Sequence, residues 1–296
     1  AVKAAQTGAK DILVLEKLAF TGGNTLIAQG FINAADPVRQ PRQGIKDSPE
    51  NHMKQTLAAG DFRGDPERVK VLCDNAYGAI TWLESLGMKF KDNVIQIFGA
   101  LYPRSHIPAL PKGQGYGTVL TKAAKELGVQ VHTGLGVTEI IREEQFAGRV
   151  IGVKVQPAKG PARFIRATKA VVLAAGGFSR DIFFRQIQDP RVVPTTDSTN
   201  QPGATAGVLI KALGIGAAPV QLCWLQFLPY CNPREKGFGV SVNFTNHACM
   251  DLGLVVDRKT GRRFMDEHAG RKIKSDALFK VIGTDEKQTV LEYLRA

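Results

Sequence analysis

The residue best suited to chemistry near the start of the chain is Glu16, which ends the apolar run of residues 12–15. A glycine-rich turn at residues 21–25 follows almost at once. A buried parallel strand is a short, nearly continuous apolar run, and a carboxylate at its carboxyl end can accept hydrogen bonds from both hydroxyls of an adenosine ribose. An apolar run that ends in Glu16 and is followed by a glycine-rich turn therefore predicts the second strand of a nucleotide-binding βαβ unit. Because an apolar strand that ends in glutamate also occurs in many other α/β proteins, chance is an equal alternative for this feature alone.

The residues before this strand predict a helix over residues 1–9, with small side chains for close packing and Gly8 at its C-terminal end. A nucleotide-binding unit runs in the order strand, glycine-rich turn, helix, strand and acidic residue. The chain begins inside the helix of that order. We therefore expect the first strand and its phosphate-binding loop to lie outside this sequence, which would make the chain a piece of a longer protein.

The length and composition indicate a globular protein with more than one domain. The chain has 296 residues, of which 44% are hydrophobic and 22% charged, and single domains are usually shorter. No apolar stretch approaches the roughly 20 residues that cross a bilayer, so no transmembrane segment is predicted. The four cysteines have no CxxC spacing, so we expect no zinc, iron-sulfur cluster, covalently attached haem or other metal.

The net charge of +12 is compatible with binding to nucleic acid, to an anionic membrane or to anionic small molecules. Lys and Arg are scattered along the chain, with short clusters at residues 258–263 and 271–274 and no aromatic residues interleaved with them. Nucleic-acid-binding surfaces usually combine basic and aromatic side chains. We therefore predict an anionic substrate or cofactor and no nucleic acid.

Caps and apolar runs predict the elements that follow the first strand. Helices are expected at residues 49–59, 65–86 and 118–127, the first two because Ser48 and Asp65 precede a proline. Strands are expected at residues 129–133, 139–142, 150–155 and 163–166, and the apolar run 170–178 predicts a second buried strand that ends in a double glycine. These elements together indicate a doubly wound α/β unit with a β-meander insert. The composition changes near residue 222, where we predict a domain boundary.

Six short motifs, taken together, resemble the flavoprotein part of flavocytochrome c fumarate reductases. Urocanate reductase and related FAD-dependent enoate reductases share the pattern, and the succinate dehydrogenase flavoprotein is more distantly similar. In chain order the motifs are Glu16-Lys17, Gly22-Gly23-Asn24, Gly30, residues 174–178, residues 199–204, and residues 261–267 followed by Arg271. The resemblance implies an α/β fold with a Rossmann-like FAD-binding domain and β-meander insert at residues 1–222, and part of an α+β capping domain at residues 223–296.

The resemblance also implies where FAD and substrate bind. Glu16 would bind the adenosine ribose, and Arg271 would donate a proton after hydride leaves flavin N5. The other implied FAD-binding residues are Lys17, Gly23, Asn24, Thr25, Gln29, Gly30, Val137, Ala175 and Gly176, and the implied substrate-binding residues are Gly30, Phe31, Leu228 and Tyr230. The alternative for Arg271 is a surface position on a helix within a basic run.

The implied activity is reduction of the C=C bond of an α,β-unsaturated carboxylate. Such a protein would take electrons from a haem or FMN domain or subunit, and we expect it in the bacterial periplasm or otherwise in the cytoplasm. Two alternatives stay open. One is a flavin dehydrogenase that works in the opposite direction, as 3-ketosteroid dehydrogenases do, and the other is a non-catalytic fragment that keeps the fold.

Departures from the resemblance bear on the substrate. Leu228 stands where fumarate reductases have a histidine that binds a substrate carboxylate, and the Thr-Glu pair of those enzymes is not recognisable in residues 242–249. An apolar side chain cannot bind a carboxylate. We therefore expect a substrate with one carboxylate and an apolar or aromatic tail. The alternative is that the same side chains form a hydrophobic core and no substrate pocket. The side chains concerned are Trp224, Phe227, Leu228 and Tyr230. His106 belongs to a stretch similar to an Arg-x-His stretch near the flavin of relatives.

Overall fold

A computed structural model describes residues 1–97, 100–157, 159–229 and 252–282. The described chain divides into two compact units. The first unit comprises residues 1–12 and 25–130, and the second comprises residues 13–24 and the described residues from 131 onward. The domain boundary predicted near residue 222 falls within the second unit and stays a prediction.

The described chain contains both helices and strands, in agreement with the predicted mixture of the two. The helices are α1 Val2–Gln6, α2 Gly23–Ile27, α3 Arg39–Arg42, α4 Pro49–Ala59, α5 Pro66–Ser85, α6 Gln114–Glu126, α7 Ile182–Gln188, α8 Gly207–Leu213 and α9 Arg271–Ile282. The strands are β1 Leu13–Leu15, β2 Ile32–Asn33, β3 Phe90–Ile95, β4 Ser105–Pro108, β5 Gln130–His132, β6 Leu135–Arg142, β7 Val150–Pro157 and β8 Arg163–Arg166.

Helix α1 is shorter than the predicted residues 1–9, but it ends with the predicted glycine cap at Gly8. Gly8 has a φ of +91°, which glycine adopts without steric cost. Its N–H donates to Ala5 O, and the N–H of Ala9 donates to Ala4 O, both at 3.0 Å. This pair of bonds is the Schellman arrangement, which satisfies the last carbonyls of a helix.

Helices α4 and α5 begin at the prolines that the sequence predicts. The Ser48 hydroxyl accepts the N–H of Asn51 at 3.1 Å, and the Asp65 carboxylate accepts the N–H of Glu67 at 3.0 Å. Each cap satisfies a donor that the first helical turn leaves unpaired. Residues within the local sequence therefore specify both helix starts.

The core of the first unit lies between α5, α6 and a small antiparallel sheet in the order β2-β4-β3. Helix α5 buries Ala76, Ile80 and Leu83, which recur at helical spacing on one face. They pack in one cluster with Met88 and Phe90. This core supports the segment from Thr25 to residue 31, where several candidate site residues lie.

Helix α6 begins at Gln114, four residues before the predicted start at residue 118. The difference arises from Gly115 and Gly117 in its first turn, because glycine lowers helix propensity. A Cβ at Gly117 would lie 2.6 Å from Leu26 Cδ2, and one at Gly115 would lie 3.1 Å from Met88 Cε. The two glycines that weaken the helix signal in the sequence therefore lie where Leu26 and Met88 pack closely against α6.

The second unit contains the predicted β-meander. Strands β6, β7 and β8 form one antiparallel sheet in that order, with Val137 opposite Val155 and Val153 opposite Ile165. The prediction of three antiparallel strands is confirmed, although β6 begins at Leu135 rather than at residue 139. A register shift between Val137 and Glu139 marks a β-bulge in β6.

Strand β1 pairs with β5, and the two run in the same direction. The N–H of Gln130 donates to Ile12 O and the N–H of Glu16 donates to His132 O, each at 2.9 Å. These bonds advance along both strands, which is the parallel pattern. Glu16 therefore stands at the carboxyl end of a parallel strand, as predicted.

The prediction of a second buried strand at residues 170–178 is wrong for the described structure. Residues 170–178 form no strand, Val172 is 85% exposed, and Leu173 is 52% exposed. A strand requires a hydrogen-bonded neighbour, and none of the paired strands in the described residues lies beside this run. The apolar pattern alone could not show whether such a neighbour is present.

Within the described ranges, no helix has both the length and the apolar character needed to cross a membrane. Among the same residues, no group of three or more His, Cys, Asp or Glu side chains could hold a metal ion.

Candidate functional site

Glu16 follows β1 directly, and its carboxylate is oriented by the backbone. Its Oε1 accepts the N–H of Leu18 at 2.8 Å. Within the described residues, Oε2 has no hydrogen-bond partner. A carboxylate that is fixed through one oxygen and open at the other can accept hydroxyl donors with little loss of conformational entropy.

Asn24 ties the glycine-rich turn to residues 199–204. Its Nδ2 donates to Asn200 Oδ1 at 2.6 Å, and its Oδ1 accepts the N–H of Gln201 at 2.8 Å. Nearby, Lys17 Nζ donates to Thr205 Oγ1 at 2.8 Å. The structure therefore brings together two motifs that lie far apart in the sequence. The roles of Asn200 and Gln201 as partners of Asn24 could not be predicted, because no local signal links them.

In the first unit, the segment that carries Thr25, Gln29, Gly30 and Phe31 packs directly against the start of α6. Gly30 has a φ of +81°, and a Cβ on it would lie 2.6 Å from the carbonyl oxygen of Lys112. The Gly30 carbonyl accepts the hydroxyl of Tyr116 at 2.7 Å. Burial raises the pKa of that hydroxyl. Glycine at position 30 is therefore required by both backbone conformation and space.

The remaining predicted FAD residues lie in the second unit. Val137 is half-buried on β6, whereas Ala175 and Gly176 are exposed in the run without a strand neighbour. Gly23 begins α2 with a φ of +46°. These positions stay predictions, because no ligand contact tests them.

Arg271 is the first residue of α9 and is exposed. Its Nη1 donates to Gln226 Oε1 at 3.1 Å. The next turn of α9 is buried and contacts the same segment, because Ser275 Oγ donates to Phe227 O at 3.4 Å. Leu228 is half-buried beside these residues in the chain, and Tyr230 lies outside the described residues. Gln226 is a contact of Arg271 that the sequence did not predict.

Glu267, in the motif before α9, is a buried carboxylate with a full set of donors. Arg263 donates to its two oxygens, with Nη2 to Oε2 at 2.6 Å, and the N–H of Val255 donates to Oε1 at 2.7 Å. The hydrogen bonds from Arg263 are the largest cause of a lowered pKa, which is about 2 for Glu267. This residue stabilises the chain segment that leads into α9.

We expect Glu267→Gln to change how stability depends on pH. Because the folded pKa of about 2 lies below the ordinary value of 4.5, the carboxylate stabilises the fold above pH 4.5 and loses this contribution as pH falls from 4.5 towards 2. The advantage of wild type over Glu267→Gln in urea unfolding should therefore shrink over that range. Glu126→Gln, at an exposed position on α6, is the control. An advantage that stays constant with pH would contradict the prediction.

His106 is fully buried in the first unit and paired with a carboxylate. Its Nε2 lies 2.9 Å from Asp36 Oδ2, and its Nδ1 lies 3.2 Å from Ile32 O and 3.1 Å from Arg104 O. Both ring nitrogens are therefore engaged by acceptor groups of the first unit. Burial raises the pKa of Asp36, but the hydrogen bonds from His106, Arg39 and Val38 together lower it below its ordinary value. His106 therefore has a structural role within its unit.

Comparisons with known proteins agree with the resemblance. A family model described as FAD binding domain matches residues 1–292. The acrylate reductase flavoprotein subunit of Shewanella woodyi is 32% identical over 94% of this chain and 56% of its own length. The urocanate reductase of Eggerthella lenta is 30% identical over 94% of this chain and 45% of its own length. An open conformation of a flavocytochrome c3 fumarate reductase superposes with a TM-score of 0.80 and 27% identity, over 96% of this chain and 49% of that one.

The chain thus spans about half the length of the curated relatives that it matches. The structural match confirms a flavoprotein fold of mixed helix and sheet. Because the family model covers nearly the whole sequence, the chain belongs to the FAD binding domain family.

Proposed function

We propose that the protein is an FAD-dependent oxidoreductase that reduces the C=C bond of an α,β-unsaturated carboxylate. The observation that carries this proposal is the placement of Arg271 at the start of α9. Its guanidinium donates a hydrogen bond to Gln226, which is close in sequence to the apolar Leu228. A cationic donor beside an apolar segment suits a substrate in which a carboxylate is conjugated to an apolar C=C bond. The named activities of the acrylate and urocanate reductases support the same reaction class.

The residues around Glu16 fit the adenosine part of FAD. The open oxygen of Glu16 can accept a ribose hydroxyl, and the positive φ of Gly23 gives a turn without a side chain. When bound, FAD supplies the hydride at its N5 atom. We assign the remaining contacts, each within its own unit, to Lys17, Gly23, Asn24, Val137, Ala175 and Gly176, and to Thr25, Gln29 and Gly30.

Arg271 would deliver the proton that completes the reduction. One alkene carbon receives the hydride, and the carbon next to the carboxylate then takes a proton from the guanidinium. Arg271 is exposed, so water can return the proton after each turnover. Its hydrogen bond with Gln226 orients the donor, and a correct geometry is the first condition for general acid catalysis.

The substrate proposed is a monocarboxylate with an apolar or aromatic tail. The side chain of Leu228 offers no hydrogen-bond donor to a second carboxylate. The assignment of Gly30, Phe31, Leu228 and Tyr230 to the substrate follows from the resemblance. An electron donor that carries haem or FMN would reduce the flavin from another domain or subunit. The periplasm is the proposed location, with the cytoplasm as the alternative.

The first experiment is a visible absorption spectrum of the purified full-length protein, followed by enoate reduction with a reduced dye as electron donor. We expect flavin bands, and a higher kcat/KM with acrylate or urocanate than with fumarate. A protein that stays colourless in the presence of FAD would contradict flavin binding. Faster reduction of fumarate would contradict the monocarboxylate assignment.

Glu16→Gln is expected to weaken FAD binding by about 10- to 100-fold, because a hydrogen bond to a charged acceptor contributes about 1.5–3 kcal/mol. The dissociation constant can be measured by quenching of FAD fluorescence. Glu139→Gln, which alters an exposed carboxylate on β6, is the matched control and should change the constant less than twofold. Equal effects of the two substitutions would contradict the assignment of Glu16.

A further inference from the structure

Arg191 lies at the centre of a charged and aromatic cluster beside α9. Its Nη2 donates to Asp189 Oδ2 at 2.8 Å, and its Nε donates to Asp189 Oδ1 at 3.1 Å. Its Nη1 donates to Asp276 Oδ1, on α9, at 2.9 Å. The Asp189 side chain is only 7% exposed. A paired guanidinium fork on a largely buried carboxylate is geometrically well defined, unlike a single surface ion pair.

The same guanidinium stacks on two aromatic rings. Its Cζ lies 5.2 Å from the ring centroid of Phe227 and 5.2 Å from that of Phe279. The two rings meet edge to face, with centroids 4.9 Å apart. Phe279 belongs to α9, and Phe227 follows Gln226, the partner of Arg271. Arg191 therefore contacts both α9 and the segment that holds Arg271.

We propose that Arg191 is a positioning residue that holds α9 against residues 226–229 and so fixes the guanidinium of Arg271 for proton donation. This inference rests on the proposed function. Asp276 lies five residues beyond Arg271 on the same helix, and a helix that slips by one residue moves about 1.5 Å along its axis and turns about 100°. Such a slip would break the 3.1 Å bond between Arg271 and Gln226. Misplacement by about 1 Å can cost on the order of 100-fold in rate.

The test uses one conservative substitution and one matched control. Arg191→Lys keeps the charge but cannot bind two carboxylates through a planar fork or stack in the same way on both rings. Lys272→Ala removes the other ion pair of Asp276 from α9, and this lysine side chain is 74% exposed. Both variants alter an ion pair of the same aspartate, but only the first alters the contact with Phe227.

In steady-state reduction of an enoate, we expect Arg191→Lys to lower kcat about tenfold while KM changes less than twofold. Lys272→Ala should change both constants less than twofold. In an Arg271→Ala background, Arg191→Lys should cause no further loss, because it acts through Arg271. Independent, multiplicative losses from the two substitutions would overturn the proposal.

Hydrogen–deuterium exchange gives a readout that does not depend on turnover. Arg191→Lys should raise the exchange rate of the amides at residues 274–279 about tenfold, and Lys272→Ala should raise it less than twofold. Unchanged exchange in Arg191→Lys would overturn the proposal. If the wild-type protein reduces no enoate, the proposed function is wrong, whereas the exchange result still decides whether Arg191 holds α9.

Discussion

Arg271→Ala is expected to lower the rate of enoate reduction by about 100- to 10,000-fold, the range typical of a lost general acid. Flavin binding should be unchanged, because Arg271 is not one of the residues assigned to FAD. A guanidinium holds its proton tightly in water, so its use as an acid depends on the fixed orientation that Gln226 provides. Steady-state kinetics with a reduced dye, together with the flavin spectrum, measures both properties.

The matched control is Arg258→Ala, which removes an exposed arginine from the basic stretch before α9. It should change kcat less than twofold, since Arg258 makes no side-chain ion pair in the described structure. Turnover by Arg271→Ala near the wild-type rate would reject Arg271 as the proton donor. It would favour a different acid and the alternative of a flavin dehydrogenase.

Gly113→Ala is expected to have the largest effect on stability, about 3 kcal/mol or more, or to prevent folding. A Cβ at this position would lie 1.7 Å from the carbonyl oxygen of Thr25 and 2.6 Å from its carbonyl carbon. Backbone atoms cannot move aside as a flexible side chain can, so the start of α6 and residue 25 must separate. Overpacking of a core typically costs about 1–3 kcal/mol and sometimes more. Urea unfolding of the purified variant measures the loss.

Gly78→Ala is the control for this substitution, because Gly78 lies inside α5 and a Cβ there would meet nothing within 4 Å. Alanine in an exposed helix interior is more stable than glycine by about 0.5–1 kcal/mol. The two substitutions are therefore expected to act in opposite directions. A Gly113→Ala variant as stable as wild type would show that residues 25 and 113 do not make this close approach.

The sequence predicted those elements whose signals are local. The starts of α4 and α5 depend on Ser48 and Asp65, which bond to N–H groups two or three residues away. The meander β6-β7-β8 pairs strands that follow one another directly in the chain. Each of these interactions is complete within a short stretch of chain, so the residue types alone carry the information.

Predictions were incomplete wherever the decisive partner lies far away in the chain. The glycines at the start of α6 reduce its helix signal, and the helix packs there against Leu26 and Met88, which lie far away in the chain. The apolar run at residues 170–178 has a strand-like pattern, yet strand formation depends on a neighbour that the pattern does not specify.

In the candidate site, too, residues with a local sequence signal were predicted and their distant partners were not. Glu16 was recognisable because it follows its own strand, and Arg271 because it follows a motif. The partners that orient them came only from the structure. Gln226 contacts Arg271, and Arg191 joins α9 to Phe227, although neither residue has a distinctive sequence signal.

The bonds of Asn24 with Asn200 and Gln201 have a consequence for the time course of folding. They connect residues separated by 176 and 177 positions, and contacts of such high sequence separation form slowly because a long loop must close first. At about 5–20 residues per second, a ribosome needs roughly 10–35 s to extend the chain from residue 24 to residue 200. During this interval the glycine-rich turn beside Glu16 lacks its partners, so the nascent chain cannot complete this part of the proposed cofactor site until Gln201 has been synthesised.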